Sequence, residues 1–159
     1  MAQYVRDDRV VLWDRRRDIV YNDAGVREKW GVPPSGVADR LALVGDAADG
    51  FPGLPGWGDK SAAAVIARYG RLEDIPANAS EWDVPVRGAL ALAATLREQF
   101  DQALLFRDLA RLRTCADGVP IPQADAEELR WPGADRERWI AFCEEWGLPK
   151  LADRPPRWA

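Results

Sequence analysis

The stretch that decides the fold of this chain is residues 45–62, GDAADGFPGLPGWGDKSA. It holds two aspartates three residues apart, Asp46 and Asp49, together with five glycines and two prolines. A lysine and a serine, Lys60 and Ser61, then open a segment of helical character. Few structural requirements call for this combination, so the stretch is a candidate for a metal site, a phosphate-binding turn, or a tight turn alone.

The second half of the stretch, residues 53–62, is typical of two helices joined by a tight turn with a Gly-Trp-Gly tip. Glycine allows positive φ and lets a ligand approach the backbone closely. The N-terminus of the following helix presents unpaired N–H groups and a partial positive charge, which favours phosphate. Lys60 and Ser61 add a cation and a hydroxyl donor in the first turn. A plain helix–turn–helix corner is the alternative, because it would use the same glycines.

Two common nucleotide-binding templates do not match this turn. A dinucleotide fingerprint needs a preceding strand and a third glycine further on. A phosphate loop needs four residues between its first glycine and a Gly-Lys pair, whereas here Gly58 is followed by Asp59 and then Lys60. A helix–hairpin–helix, which holds the nucleic-acid backbone without reading bases, fits better.

Asp46 and Asp49 form a candidate metal site. Their spacing places both carboxylates on one face of a helix end. Two adjacent carboxylates repel each other unless a cation lies between them, and their oxygens suit Mg²⁺ or Mn²⁺. A solvated or C-capping acid pair is the alternative. Next to a phosphate-binding hairpin, the pair predicts phosphodiester hydrolysis.

Composition narrows the chemistry further. The 159 residues suit one domain with appendages, and 47 % apolar residues with eight tryptophans allow a sizeable core. The absence of histidine excludes histidine-based triads and most zinc sites. Cys115 and Cys143 lack paired spacing and predict buried thiols in a reducing compartment. No apolar run is long enough to span a bilayer, so we expect a cytoplasmic protein with no membrane partner.

The net charge of −4 argues against a globally basic nucleic-acid binder, so DNA would need a local patch. Much of the negative charge lies in the C-terminal part, away from the hairpin. The run Arg15–Arg17 is either a solvated turn or a second DNA contact. The arginines near residue 110 either extend the basic patch or pair with acids of the final helix, such as Glu144; these arginines are Arg107, Arg111 and Arg113.

Periodicity predicts a mainly helical fold with a small β element, α+β in class. Short strands are predicted at 10–13 and 19–21. Helices are predicted at 24–30, 37–44, 60–69 and 134–147, the last with Trp139, Cys143 and Trp146 on a core stripe. Residues 86–113 have the strongest helical pattern and form either one helix or two with a bend near Gln99. A turn and an extended segment follow at 114–123.

Residues 41–75, LALVGDAADGFPGLPGWGDKSAAAVIARYGRLEDI, resemble the helix–hairpin–helix region of the 5′ nucleases. That family comprises bacterial 5′–3′ exonucleases, the 5′-nuclease domain of DNA polymerase I, and flap endonucleases. The resemblance extends to residues 2–122, and FDQALLFRDLARLRTCADGVPI resembles the closing helix and the arginine-rich strand that follow the motif. It implies a SAM-like C-terminal nuclease domain.

The resemblance implies two-metal hydrolysis of phosphodiester bonds near DNA 5′ ends, with roles in replication and repair. Asp46 and Asp49 would bind Mg²⁺ or Mn²⁺ at an incomplete site, and carbonyls of the turn would bind K⁺. Double-stranded or flap DNA would contact the residues of the hairpin, which are Gly53, Gly56, Trp57, Gly58, Lys60 and Ser61. Trp57 replaces the usual isoleucine and would either pack under the turn or lie on a sugar. Asp59 beside the site would repel phosphate.

The resemblance also implies further metal carboxylates and an N-terminal domain that lie upstream of the segment matched here. We therefore expect residues 1–31 to be remnant strands and a linking helix of that domain, 32–122 the DNA-binding domain, and 123–159 a C-terminal helix and tail. The chain alone is expected to be a monomer that has weak nuclease activity or no activity. We expect it to be cytoplasmic and associated with the nucleoid. The alternatives are a stand-alone, sequence-nonspecific DNA-binding module without catalysis, and a structural domain with an idle site.

Overall fold

The computed structural model describes residues 1–120, 122–123 and 125–159. It divides into two compact units, Met1–Leu112 and Arg113–Ala159. The extended segment predicted at 114–123 includes Ile121, which lies outside the described residues. The domain limits inferred from the resemblance stay predictions.

The first unit is mainly helical with a small β element, as the sequence predicts. Its two strands, β1 (Leu12–Asp14) and β2 (Ile19–Tyr21), pair antiparallel with Trp13 opposite Val20. Its helices are α1 (Asp23–Trp30), α2 (Val37–Val44), α3 (Asp59–Tyr69), α4 (Ala89–Glu98) and α5 (Phe100–Ala110). The first three helices begin and end within one residue of their predicted limits.

The residues that flank α1 set its limits. Asn22 is the N-cap, and its side-chain oxygen accepts a hydrogen bond from the Gly25 N–H at 3.1 Å. At the other end, Gly31 adopts φ 71°, a left-handed conformation that glycine enters without Cβ strain. These two caps account for the limits of α1, which lie within one residue of the predicted range 24–30.

The strongest helical pattern forms two helices, α4 and α5, rather than one. Gln99 lies between them with φ −117° and ψ 30°, outside the helical region. On either side of this break, α4 buries Leu92 and Leu96 and α5 buries Ala103 and Phe106. Of the two alternatives left open for residues 86–113, the structure therefore has two helices with a break at Gln99.

Helix α2 lies at the centre of the core of the first unit. Its residues Ala42 and Leu43 are fully buried, and it packs against both α3 and α5. On α3, Val65 and Ile66 are fully buried. Because α2 and α3 are the two helices that flank the glycine-rich stretch, the core fixes the position of both ends of that stretch.

A partly buried ionic network joins α2, α5 and the segment after α3. Arg107 donates to Asp39 at 3.0 Å and makes two 2.6 Å bonds to Glu73. Asp39 is 5 % exposed and also accepts the Leu72 N–H at 3.1 Å. The hydrogen bond from Arg107 lowers the pKa of Glu73, so this carboxylate stays ionised. Arg107 therefore has partners inside the first unit, which corrects the prediction that it binds DNA or Glu144.

The arginine-rich segment after α5 is extended but is not paired as a strand within the described part of the chain. Arg111 has φ −79° and ψ 121°. In place of a neighbouring strand, the side-chain amide of Gln3 donates to the Ala110 carbonyl at 3.0 Å and accepts the Leu112 N–H at 3.2 Å. The Tyr4 hydroxyl donates to the Leu112 carbonyl. The strand expected here is therefore replaced by side-chain hydrogen bonds from the N-terminal residues.

The second unit contains α6, Arg136–Glu145, which is capped by the Asp135 side chain. The predicted core stripe is correct for Cys143, which is 1 % exposed, but wrong for Trp146, which is 65 % exposed. Trp146 lies beyond the last residue of α6 and its ring lies against that of Phe142, at 5.9 Å between centroids. Because the helix ends one residue earlier, the helical spacing no longer sets the direction of this side chain.

The two cysteines have different environments. Both are free thiols, as predicted, so they form no disulfide. Cys143 is buried, whereas Cys115 is exposed in a short 3₁₀ turn, which corrects the prediction that both are buried. None of the helices within the described residues is long and apolar enough to cross a membrane.

The ionic network predicts a stability effect for Arg107→Met. This change leaves Asp39 buried without its cation, and we expect the free energy of unfolding to fall by roughly 3 kcal/mol. Urea unfolding followed by circular dichroism at pH 7 measures it. Arg97→Met, at an exposed arginine of α4, is the control and should be neutral.

The effect of Arg107→Met on the free energy of unfolding should depend on pH. Since the pKa of Glu73 is lowered in the folded protein, its contribution is fully present above the ordinary value of 4.5 and is lost as the pH falls. The difference between wild type and Arg107→Met should therefore shrink on acidification. A difference that stays constant from pH 7 to below about pH 4 would contradict the role of the pair.

Candidate nucleic-acid interface

The connection between α2 and α3 is closed where two glycine backbones meet. Gly45 has φ 81° and Gly53 has φ 73°. A Cβ on Gly45 would lie 2.6 Å from the Gly53 nitrogen, and one on Gly53 would lie 2.6 Å from the Leu43 carbonyl oxygen. The Leu54 N–H donates to the same Leu43 carbonyl at 2.8 Å. Only glycine satisfies both the space and the backbone conformation at these two positions.

Asp46 and Asp49 lie in the loop that this contact closes. The backbone of Asp46 bridges that of Phe51 through N···O distances of 2.9 and 3.2 Å. One carboxylate oxygen of Asp46 accepts the N–H groups of Ala48 at 3.0 Å and Asp49 at 3.4 Å. This carboxylate therefore stabilises its own turn, while the side chain of Asp49 is exposed.

The two carboxylates do not share a helical face, which corrects the geometry expected from their spacing. Helix α2 ends at Val44, and the positive φ of Gly45 turns the chain out of the helix before Asp46. The turn instead brings the backbone N–H of Asp49 within hydrogen-bond distance of the Asp46 carboxylate.

The tip of the hairpin is a tight turn with an anchored side chain. The Trp57 N–H donates to the Leu54 carbonyl at 3.2 Å, and Gly56 has φ 82°. The indole of Trp57 is 7 % exposed and lies 6.1 Å from the ring of Trp82. Of the two alternatives for Trp57, the structure therefore has packing under the turn. Its indole N–H has no hydrogen-bond partner among the residues described.

Helix α3 begins at an N-cap, Gly58, that has no side chain to satisfy the first N–H groups of the helix. The Ser61 hydroxyl instead accepts the Gly58 N–H at 3.1 Å and donates to the Gly58 carbonyl at 2.9 Å. The N–H groups of the first turn therefore face solvent with a partial positive charge. Gly58 itself has φ −136° and open space around a Cβ, so the fold does not require glycine there.

Asp59, which seemed unfavourable beside a phosphate site, is neutralised from within the core. Its carboxylate accepts a 2.6 Å hydrogen bond from Arg40 of α2. The Arg40 side chain is 11 % exposed, whereas that of Asp59 is 78 % exposed. The buried guanidinium offsets the acid, and its desolvated charge lies behind the N-terminus of α3.

The N-terminus of α3 lines a surface groove with a volume of about 420 Å³. A second segment, just before α4, lines the same groove. The lining residues are Gly56, Gly58, Asp59, Lys60, Ser61, Ala64, Pro85, Val86 and Arg87. Lys60 and Arg87 are both exposed. Arg87 was missed from the sequence, because a lone arginine before a helix has no spacing that relates it to Lys60.

A cluster of polar contacts fixes the second segment against α3. Asp83 accepts hydrogen bonds from Arg68, and from the Tyr69 hydroxyl at 2.9 Å. The Asp83 N–H donates back to the Tyr69 oxygen at 3.0 Å. The bonds from Arg68 and then Tyr69 lower the pKa of Asp83, so its charge persists at neutral pH. The groove therefore has two walls that the fold holds together.

The family assignment comes from residues 32–137, which match the family described as 5′-3′ exonuclease, C-terminal SAM fold. The chain belongs to this family. The fold class predicted from the sequence is thereby confirmed.

Relatives of this 5′-3′ exonuclease C-terminal domain occur in longer proteins. This chain is 40 % identical over 145 residues to DNA polymerase I of Rhizobium leguminosarum; the match covers 91 % of this chain and 13 % of the relative. This chain is 32 % identical over 134 residues to DNA polymerase I of Bacillus caldotenax; the match covers 84 % of this chain and 14 % of the relative. This chain is 36 % identical over 129 residues to a 5′-3′ exonuclease of Streptomyces coelicolor; the match covers 80 % of this chain and 40 % of the relative. The chain thus spans less than half of each relative.

Asp46 and Asp49 by themselves do not meet the needs of a divalent metal ion. Asp46 commits one oxygen to backbone N–H groups, and Asp49 is exposed. Within the described ranges, no three acidic, cysteine or histidine side chains gather as a group that could hold a metal. Mg²⁺ requires near-octahedral oxygen ligands and gives up its waters reluctantly. The described residues therefore do not form a complete metal site.

The predicted DNA-contact residues separate into two groups in the structure. Gly56, Gly58, Lys60 and Ser61 all line the groove. Gly53 and Trp57 are both buried and do not belong to its lining; the first closes the loop and the second packs under the tip. Their assignment to DNA contact stays a prediction.

Substitutions at Gly53 and Gly58 should differ in their effect on the stability of the fold. Gly53→Ala introduces a Cβ into backbone atoms at positive φ, and we expect it to cost about 3 kcal/mol or more. Gly58→Ala meets no atom and needs no unusual φ, so its cost should stay below about 1 kcal/mol. Thermal unfolding of both variants measures this difference. Equal losses of stability in the two variants would contradict the closure described here.

Proposed function

We propose that this chain is the DNA-binding C-terminal portion of a 5′–3′ exonuclease or flap endonuclease, and that it holds duplex or flap DNA by its phosphate backbone. The observation that carries the proposal is the glycine-capped N-terminus of α3, with Lys60 beside it, open to a groove. The family match and the named relatives support a nuclease context.

The chemistry of the groove suits a phosphate. The unpaired N–H groups of the first turn of α3 donate to phosphate oxygens, and the field of the helix favours negative charge there. Lys60 adds a mobile cation with three donors. Because the Ser61 hydroxyl already bonds to Gly58, we assign the phosphate contact of Ser61 to its backbone N–H. The absence of a side chain at Gly58 lets the DNA strand approach.

Contacts of this kind recognise DNA without reading its sequence. Backbone N–H groups and lysine position a protein on phosphates, whereas sequence is read at the edges of the bases. The expected binding is therefore nonspecific and strongly salt-dependent, since each neutralised phosphate releases counterions. A cytoplasmic, nucleoid-associated location follows from the proposed DNA partner alone.

The catalytic part of the proposal extends beyond this chain. Asp46 and Asp49 would contribute a share of a Mg²⁺ or Mn²⁺ site, which carboxylates from another segment would complete. Carbonyl groups of the hairpin turn would bind K⁺. No step of hydrolysis is assigned to the residues of this chain.

Lys60→Ala tests the DNA-binding proposal. Loss of one charge-assisted phosphate contact should weaken binding to duplex DNA about tenfold at low salt. It should also reduce the slope of log K against log salt by about one. Fluorescence anisotropy with a labelled duplex measures both quantities.

The matched control is Lys150→Ala, which removes the same charge from an exposed lysine of the second unit. Its affinity for DNA should equal that of the wild type. If Lys60→Ala binds as tightly as Lys150→Ala, the hairpin is not the binding site and the proposed function is wrong.

A cleavage assay tests the metal part. The purified chain, incubated with 5′-labelled flap DNA and Mg²⁺ or Mn²⁺, should shift the DNA on a native gel but leave it uncut. The reason is that two carboxylates leave most of the coordination sphere to water. Product that forms with the wild type and disappears in an Asp46→Ala, Asp49→Ala variant would show that the chain completes a metal site unaided.

A further inference from the structure

Arg87 shares the groove with Lys60 but comes from a different part of the chain. Lys60 lies in the first turn of α3, whereas Arg87 lies two residues before α4 begins. Both line the same cavity of about 420 Å³. The folded structure thus brings two cations from separate segments to one groove.

The guanidinium of Arg87 has no acidic partner in the part of the chain that the structure describes, although neighbouring arginines do. Arg40 pairs with Asp59, and Arg68 pairs with Asp83. Asp59 is the acid that lines the groove, and Arg40 already offsets it. The groove therefore carries a positive charge that no acid of its lining neutralises.

The backbone that carries Arg87 is fixed before any ligand binds. Asp83 ties the segment to the end of α3, and the Trp82 indole donates to the Pro76 carbonyl at 2.8 Å. Val84 and Val86 pack against the core on either side of Pro85, a residue with restricted φ. Binding would therefore order the Arg87 side chain alone, which keeps the entropic cost of a contact low.

The lining of the groove indicates the chemistry of its ligand. A guanidinium presents paired N–H donors that match two phosphate oxygens, a stronger and more directional contact than an ammonium makes. The described residues that line the groove include no aromatic ring, so they offer no platform on which a free nucleobase could stack. These features favour phosphates of a DNA backbone over a free nucleotide.

We propose that Arg87 is a second phosphate-binding residue, which contacts the DNA backbone from the segment before α4 while Lys60 and the N–H groups of α3 contact it from the hairpin. This inference rests on the proposed function. It extends the hairpin into a two-walled clamp, in which the contact between Asp83 and α3 sets the spacing of the walls.

Arg87→Gln tests the clamp, because it removes the charge while keeping a polar side chain of similar length. Duplex affinity at low salt should fall about tenfold, and the salt slope should fall by about one. Arg87→Lys should recover part of the affinity. The thermal midpoint should not change, because the side chain is exposed and holds no ion pair in the described residues.

Arg97→Gln is the matched control, since Arg97 is an exposed arginine at the far end of α4 that lines a different cavity. Its affinity and salt slope should match the wild type. Equal losses in the two variants would mean a general effect of net charge and would overturn the inference.

The test separates this inference from the proposed function. If Lys60→Ala weakens binding and Arg87→Gln does not, the clamp is wrong and the hairpin still binds DNA. If neither weakens binding, both proposals fail. We expect unlabelled duplex to displace the labelled duplex from the wild-type protein. Millimolar ATP or inorganic phosphate should not displace it. Displacement by either compound at that concentration would mean that the groove binds free phosphates, and would overturn the inference.

Discussion

The close contact between the backbones of Gly45 and Gly53 holds the groove at the start of α3 in its place. It closes the connection between α2 and α3, because neither position has room for a Cβ and both have positive φ. With the loop closed there, the core packing of α2 and α3 fixes the direction in which the N-terminus of α3 points. The position of the N-terminus of α3 is therefore a consequence of backbone packing several residues before the groove.

Buried charge supports this geometry from behind. Arg40 and Asp39 are neighbours on α2, and each pairs with a different segment of the chain. Arg40 neutralises Asp59 at the start of α3, while Asp39 and Arg107 hold α5 and the segment after α3. These pairs connect α2 with α3, with α5 and with the segment after α3, and so tie together the elements beside the groove.

Much of the fold could be predicted from local sequence. Asn22 and Gly31 limit α1 through cap chemistry that acts within a few residues, and the break at Gln99 lies where the apolar pattern changes. Predictions failed where a side chain lies beyond the end of a helix, as at Trp146, or where its partner is remote in sequence, as at Arg107. The periodic spacing of apolar residues along a helix predicts neither the direction of a side chain beyond the helix end nor a partner that is remote in sequence.

The hairpin, its glycines, Lys60 and the family to which the chain belongs can all be inferred from local sequence, since motif and turn chemistry are local properties. The burial of Trp57, the pairing of Arg40 with Asp59, and the position of Arg87 in the same groove as Lys60 become visible only in the folded chain. Each of these depends on how separate segments pack in three dimensions. A groove made by two segments has no signature in either segment alone, because its geometry is set by the core between them.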